Sequence, residues 1–163
     1  MGLEFTAEEM LSKLVSFDTV SYKTNLPLIE FVSNYLKSHD IEVNLIYDST
    51  KTKANLYAEI GPSVPGGFIL SGHTDVVPID GQDWTTNPFK LTKRNKRLYG
   101  RGTCDMKGFL AIVLAAVPIM KQSRLKKPLQ LALSYDEEVG CLGAPSLIEE
   151  IICKLPKAAA VFV

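Results

Sequence analysis

The stretch GGFILSGHTDVVP, residues 66–78, determines the predicted fold. It consists of a glycine turn, a short apolar run and a polar segment that carries His73 and Asp75. Strand-like and helix-like segments alternate from here onward: a strand at 66–72, an apolar helix at 106–121, a strand at 129–135, a helix at 146–154 and a strand at 158–163. This alternation is typical of an α/β fold with a mostly parallel sheet and helices on both faces.

The segments before this stretch add two helices and two strands. Thr6 and Glu9 have the spacing of a capping box before an amphipathic helix. A second helix is expected at 27–38, with Asn25 as its cap. Alternating apolar residues predict a strand at 41–47, and a strand-like run predicts another at 54–60. After the stretch, Asn95-Lys96 predicts a hairpin turn. Pro118 is expected to kink the long apolar helix or to mark its end.

Length and charge exclude several classes of protein. The chain has 163 residues, 46% of them hydrophobic, which is enough for one domain with its own core. Eighteen basic residues balance 18 acidic ones, so we expect no nucleic acid and no membrane as partner. Three cysteines without a pairing pattern, and an N-terminus without a signal-peptide pattern, favour the cytoplasm.

Polar residues follow the predicted strands at the points where a functional site would form. His73 and Asp75 come after one strand, and the sequence DEE, residues 136–138, follows another. Asp105 precedes the apolar helix. Loops at the carboxyl ends of parallel strands converge on one crevice, so these side chains are candidates for a common site.

These residue types suit a metal centre. An imidazole and carboxylates are zinc ligands, and His73 would supply the nitrogen. Asp75 is expected on the same side of an extended segment, where it would accept the other ring N–H. Asp105 would lie at a helix start, where the dipole favours an anion that bridges two metals. Glu137 and Glu138 are expected to point in opposite directions, so that one binds metal and the other transfers protons.

Each residue also has a structural explanation. A histidine after a strand is often only hydrogen-bonded, Asp105 alone is a good helix cap, and DEE alone is a solvated loop. Cys104 has no histidine near it in sequence and is expected to be a small buried residue. The joint placement of the polar residues at successive strand ends favours the site.

Four sequence blocks resemble one family. SGHTDVVP (71–78), DWTTNPF (83–89), LYGRGTCDMKGF (98–109) and LSYDEEVGCLGA (133–144) are similar to the acetylornithine deacetylase and succinyl-diaminopimelate desuccinylase family of two-zinc amidohydrolases. Within this family, the residues of these blocks most resemble those of acetylornithine deacetylases. The resemblance implies a zinc-exopeptidase-like, truncated α/β fold, because it spans nearly the whole chain but only the first part of a family member.

The resemblance also implies residue roles. His73 would bind one zinc, Asp75 would orient it, and Asp105 would bridge both metals. Glu138 would bind the other zinc, and Glu137 would be the general base. Two zinc ions are implied per complete site, with cobalt as a substitute.

The implied reaction is hydrolysis of an N-acyl amino acid, with N-acetylornithine giving ornithine and acetate in arginine biosynthesis. Zinc would acidify a bridging water and stabilise the tetrahedral oxyanion. Glu137 would take the proton of the water and return it to the leaving amine. The family also implies a cis peptide bond at Asp105-Met106.

Residues 1–163 would then be the N-terminal part of the catalytic domain. The inserted dimerisation domain and two further ligands, a carboxylate past residues 158–163 and a distant histidine, would lie outside them. We therefore expect the isolated chain to be inactive. One alternative is a folded interaction module or half of a split enzyme, whose partner would be a complementing C-terminal chain or further copies in a homo-oligomer. Another alternative is a dipeptidase, carboxypeptidase or desuccinylase of the same family.

Overall fold

A computed structural model describes residues 2–163, so Met1 of the expected 1–163 domain lies outside the described residues. Five helices and seven strands follow one another in it. They are α1 (Ala7–Val15), α2 (Leu26–Ser38), β1 (Val43–Tyr47), β2 (Ala54–Ile60), β3 (Phe68–His73), β4 (Thr92–Arg94), β5 (Arg97–Tyr99), α3 (Lys107–Ala115), α4 (Val117–Gln122), β6 (Leu129–Ser134), α5 (Ala144–Lys154) and β7 (Ala160–Phe162).

The central sheet has five strands in the order β1-β2-β6-β3-β7. β6 and β7 both run parallel to β3, whereas β2 is antiparallel to β1 and β6. Four of the five strands therefore point the same way, which confirms the predicted mostly parallel α/β sheet. His73 pairs in register with Ser134, so the segments after β3 and β6 leave the sheet side by side.

Helices cover both faces of the sheet, as predicted. Leu131 and Leu133 on β6 pack into the main core with the apolar faces of α1 to α4. Ala132 points to the opposite face and packs with Tyr57 and with Leu147 of α5. This alternation follows from the two-residue period of side chains along a strand.

The helix ends agree with the sequence in part. The predicted capping box is present, because Thr6 Oγ1 accepts the Glu9 N–H at 3.2 Å and Glu9 accepts the Thr6 N–H at 2.8 Å. Asn25 precedes α2, but its side chain makes no cap hydrogen bond there; it donates instead to Ala54 O and to Thr74 Oγ1, each at 2.9 Å. A long-range contact has replaced the expected local one.

The apolar segment at 106–121 forms two helices, α3 and α4, which meet at Ala116. Pro118 lies in the first turn of α4, where its missing N–H costs no helical hydrogen bond.

The longest helix, α2, has 13 residues. Among residues 2–163 no helix is long and apolar enough to cross a membrane.

The predicted hairpin is also present, with Asn95 and Lys96 at φ 52° and 60° between β4 and β5. The expectation for Cys104 is wrong, because this residue is exposed. It lies in the turn at 101–106, before α3 begins, and so outside the buried part of that segment.

Candidate metal centre

The structure brings all the predicted site residues together at the carboxyl ends of β3 and β6. β3 ends at His73, and Asp75 follows it. β6 ends at Ser134, and the turn after it carries Glu137 and Glu138. Asp105 reaches the same place from the loop before α3. Of these residues, His73, Asp105 and Glu137 line an open cleft of about 430 Å³ together with Gly72, Met106 and neighbouring residues.

His73 lies at the floor of this cleft and is 5% exposed. Its Nε2 is 2.9 Å from Asp105 Oδ1. Its Nδ1 is 3.0 Å from the Asp75 carbonyl oxygen and 3.5 Å from Asp75 Oδ1. Burial would lower the pKa of His73, but hydrogen bonds to Asp75 and Asp105 outweigh it and raise the pKa to about 9. The Nδ1–H is thus directed at Asp75, and Nε2 faces the carboxylates of the cleft.

Asp75 is almost completely buried and is surrounded by donors. Oδ2 accepts the Ser21 hydroxyl at 2.7 Å and the Glu138 N–H at 3.3 Å, and Oδ1 accepts the Glu137 N–H at 3.0 Å. Burial opposes ionisation of this group, but hydrogen bonds from His73 and Ser21 outweigh it and lower the pKa of Asp75. Asp75 is therefore a buried carboxylate that holds His73 and the main chain after β6 at once.

The expected opposite orientation of Glu137 and Glu138 is wrong. One ligand atom from each and one from His73 all lie within 4.8 Å of one another. The reason is that the segment after β6 is not extended: Asp136 has φ 54°, and the chain turns through Gly140. Both carboxylates consequently face the same imidazole.

Asp105 is on the solvent side of the cleft, with a side chain that is 74% exposed. The peptide bond between Asp105 and Met106 is cis, as the resemblance implied. Asp105 is not the helix cap that the structural explanation required, because Met106 occupies the cap position of α3 and its first turn receives no side-chain cap hydrogen bond within residues 2–163. The Asp105 carboxylate points to His73 instead.

The donor set fits a divalent cation. One ring nitrogen of His73 and one carboxylate oxygen each of Glu137 and Glu138 lie within 4.8 Å of one another, and Asp105 Oδ1 is 2.9 Å from His73 Nε2. An imidazole and carboxylates are ligand types that bind zinc. Four carboxylates, those of Asp75, Asp105, Glu137 and Glu138, surround one imidazole, so the site is rich in negative charge. Burial and the charge of Asp105 raise the pKa of Glu138, as expected for crowded carboxylates. A cation bound here would relieve this repulsion.

Sequence reasoning missed three residues around the site. Ser21 contacts Asp75, and Lys53 pairs with Asp136 and with the Ser21 carbonyl oxygen. Lys107 is fully buried and donates to the Phe17 carbonyl oxygen at 2.7 Å. Of these three, only Lys107 had a local signal, because it is a lysine at the start of an otherwise apolar run. The contacts of Ser21 and Lys53 join distant parts of the chain.

Comparisons with known proteins show which family the chain is similar to. Residues 69–163 match the profile of Peptidase family M20/M25/M40. An acetylornithine deacetylase of Pasteurella multocida (strain Pm70) is 40% identical over 148 residues, which cover 86% of this chain and 38% of that protein. One from Buchnera aphidicola subsp. Schizaphis graminum (strain Sg) is 37% identical over 144 residues, with the same coverage. The chain thus spans well under half the length of these relatives.

A solved structure supports the same relationship. The M20 family metallo-carboxypeptidase Sso-CP2 from Sulfolobus solfataricus superposes with a TM-score of 0.82 at 25% identity, over 97% of this chain and 37% of that one. The family profile covers more than half of the chain and includes β3, the Asp105 loop and the turn after β6. The chain therefore belongs to peptidase family M20/M25/M40.

Proposed function

We propose that the protein carrying this chain hydrolyses the amide bond of an N-acyl amino acid in a metal-dependent reaction. N-acetylornithine, giving ornithine and acetate, is the proposed substrate, and cytoplasmic arginine biosynthesis the proposed context. The observation that carries the proposal is the clustering of His73, Glu137 and Glu138 beside Asp105 in a chain whose relatives include acetylornithine deacetylases.

His73, Asp105 and Glu138 are the proposed metal ligands, with Asp105 between two zinc ions and cobalt as a substitute. Bound zinc would supply Lewis-acid polarisation and a water that ionises near neutral pH. Asp75 orients His73: its carbonyl oxygen accepts the Nδ1–H, so Nε2 is the nitrogen that faces the cleft and would coordinate the metal.

Glu137 is the proposed general base. Its Oε2 is 3.8 Å from His73 Nε2, and its side chain is 44% exposed to the cleft, so water and substrate can reach it. The carboxylate takes a proton from the attacking water, whose oxygen bonds to the acyl carbon. Glu137 then delivers that proton to the leaving nitrogen, so that the amide and one water give a carboxylic acid and an amine.

Residues 1–163 alone are proposed to be inactive or nearly so. A catalytic zinc has about three protein ligands, so two zinc ions that share Asp105 need more than His73, Asp105 and Glu138 supply. The relatives that this chain matches are more than twice its length. We therefore assign the further ligands, the inserted domain and most substrate contacts to parts of family members outside the matched region.

Enzyme assays of the full polypeptide that contains residues 1–163 test the function. We expect zinc-dependent release of acetate from N-acetylornithine. Preference for N-succinyl-diaminopimelate, a dipeptide or a C-terminal peptide bond would favour the desuccinylase, dipeptidase or carboxypeptidase alternatives. Absence of hydrolysis of every one of these amides by the zinc-loaded protein would overturn the proposal.

The open side of the sheet favours a second candidate function, assembly with a complementing chain. β7 pairs with β3 on one side only, and all three of its residues are exposed. Beside it, Ile69, Ile152 and Val161 help to line an apolar groove of about 320 Å³ between α5 and the sheet. We propose that the groove receives the polypeptide that family members have beyond the matched region, added as a strand at β7.

Mixing residues 1–163 with a separately expressed polypeptide equivalent to the remainder of a family member tests this assembly. We expect a 1:1 complex on size-exclusion chromatography, weakened by Val161→Glu on the edge strand. Chains that stay separate at micromolar concentration would contradict it. A self-associated species containing only residues 1–163 would instead indicate a homo-oligomer.

A further inference from the structure

Five residues from four separate parts of the chain form a closed ring of contacts beside the metal centre. Asp75 accepts the Ser21 hydroxyl at 2.7 Å, and the Ser21 carbonyl oxygen accepts the Lys53 ammonium. Lys53 also binds the Asp136 carboxylate. Asp136 is bonded directly to Glu137, whose N–H returns to Asp75 at 3.0 Å. We call these five residues the brace.

The ion pair of the brace and Ser21 are largely shielded from water. Ser21 and Asp136 are 4% and 7% exposed, and the Lys53 side chain is 14% exposed. Removing one partner of a buried ion pair leaves the other charged group desolvated and unpaired, which is strongly unfavourable. The pair between Lys53 and Asp136 therefore constrains the backbone more than an exposed ion pair would.

Lys53 acts at the point where the chain changes direction. Asp136 has φ 54°, a left-handed conformation that is uncommon for residues other than glycine. The same turn directs Glu137 and Glu138 towards His73. An ion pair at Asp136 holds this conformation, and the second contact of Lys53 ties it to the segment that supports Asp75.

We propose that Lys53 is a positioning residue for the metal centre, which acts through Asp136 and Ser21 to hold Glu137 and Glu138 against His73. Lys53 lies just before β2 and is not among the residues that line the cleft, so it would act on the metal centre through Asp136 and Ser21. The effect on metal binding follows from this geometry alone. An effect on turnover rests in addition on the proposed function.

The test uses the full polypeptide encoded with this sequence in three variants: Lys53→Met, Asp136→Asn and the double substitution. Zinc affinity is measured by competition with a chromophoric chelator. We expect each single substitution to weaken zinc binding about 10- to 100-fold, the range seen when a group supporting metal ligands is removed. The double variant is expected to bind zinc no more weakly than Lys53→Met alone, because Lys53→Met already removes the ion pair that Asp136→Asn also disrupts.

Amide hydrogen exchange separates positioning from general stability. We expect the Glu137 and Glu138 amides to lose protection in Lys53→Met, while the amides of Leu131 and Leu133 within β6 keep theirs. The control is Lys93→Met, which breaks an ion pair with Glu8 whose side chains are 63% and 47% exposed. It should change neither zinc affinity nor exchange at the site.

Two results would overturn the inference. One is unchanged zinc affinity and unchanged exchange at Glu137 and Glu138 in both single variants. The other is loss of protection throughout β6, which would make Lys53 a residue of general stability. Asp136→Asn keeps side-chain size and so remains informative where Lys53→Met fails to fold. A wild-type protein that hydrolyses no amide would remove the proposed function and leave this test unaffected.

Discussion

The N–H of Glu137 donates to Asp75 Oδ1 at 3.0 Å, so a carboxylate that follows β3 holds the main chain that follows β6. Asp75 also accepts the Nδ1–H of His73 through its carbonyl oxygen at 3.0 Å, and its side-chain Oδ1 lies 3.5 Å from the same nitrogen. One buried residue therefore sets the orientation of the proposed nitrogen ligand and the position of the proposed base. Substitutions at Asp75 should disturb both together.

Asp75→Asn tests this double role. An amide keeps the size of the carboxylate but loses its charge and one acceptor, so the N–H groups of Glu137 and Glu138 lose charge-assisted partners. We expect zinc affinity to fall about 10- to 100-fold in a chelator competition assay. Asp80→Asn, in an exposed loop, is the control. Equal zinc affinities for the two variants would contradict the role of Asp75.

Glu137→Gln separates catalysis from metal binding. The amide cannot take a proton from water, whereas the backbone N–H that Asp75 holds is unchanged. In the full polypeptide that contains residues 1–163, we expect kcat on N-acetylornithine to fall about 10²- to 10⁴-fold, with zinc content per chain retained. Steady-state kinetics and metal analysis of the same preparations check this. Glu149→Gln, on the exposed face of α5, should behave as wild type; wild-type kcat in Glu137→Gln would exclude it as the base.

Metal removal should affect both activity and stability. Dialysis against a chelator leaves Asp105, Glu137 and Glu138 repelling one another beside His73. We expect hydrolysis to be lost and the melting temperature to fall, since a ligand that binds only the folded state stabilises it. Zinc or cobalt should restore both, and magnesium should not, because the site contains an imidazole. Activity that survives exhaustive chelation would contradict a metal-dependent reaction.

Lys107 should make stability depend on pH. Burial lowers its pKa from 10.5 to about 7 in the folded protein, although the charges of Asp18 and Asp75 oppose this. The unfolded chain therefore binds more protons between about pH 7 and 10.5, so the contribution of Lys107 to the free energy of unfolding rises with pH there. At lower pH both states are protonated and the penalty of burying the charge is fully present.

Urea unfolding is measured for the wild type and for Lys107→Met at pH 7 and 9, after a chelator has removed metal from both proteins. We expect the wild type to gain stability relative to the variant as the pH rises. Lys121→Met, on the short helix α4, supplies the comparison for loss of a lysine outside the core. A stability difference that does not change with pH would show that Lys107 titrates normally.

Local patterns predicted most of the elements because their causes are local. The capping box at Thr6, the alternating apolar residues at 41–47 that predicted β1 and the turn at Asn95-Lys96 depend on residues a few positions apart. The same reasoning placed Asn25 correctly at the cap position of α2, but its side chain binds Ala54 and Thr74 instead of the helix. Nothing within a few positions of Asn25 signals those partners.

The sequence by itself determined the α/β class, the candidate residues at the strand ends and, through four blocks, the family. Only the tertiary structure decided that Glu137 and Glu138 both face His73, because the left-handed turn at Asp136 cancels the alternation of an extended strand. It also decided that Lys53 supports that turn. Contacts between residues more than 50 positions apart leave no periodic signal, since they arise only when the sheet brings the strand ends together.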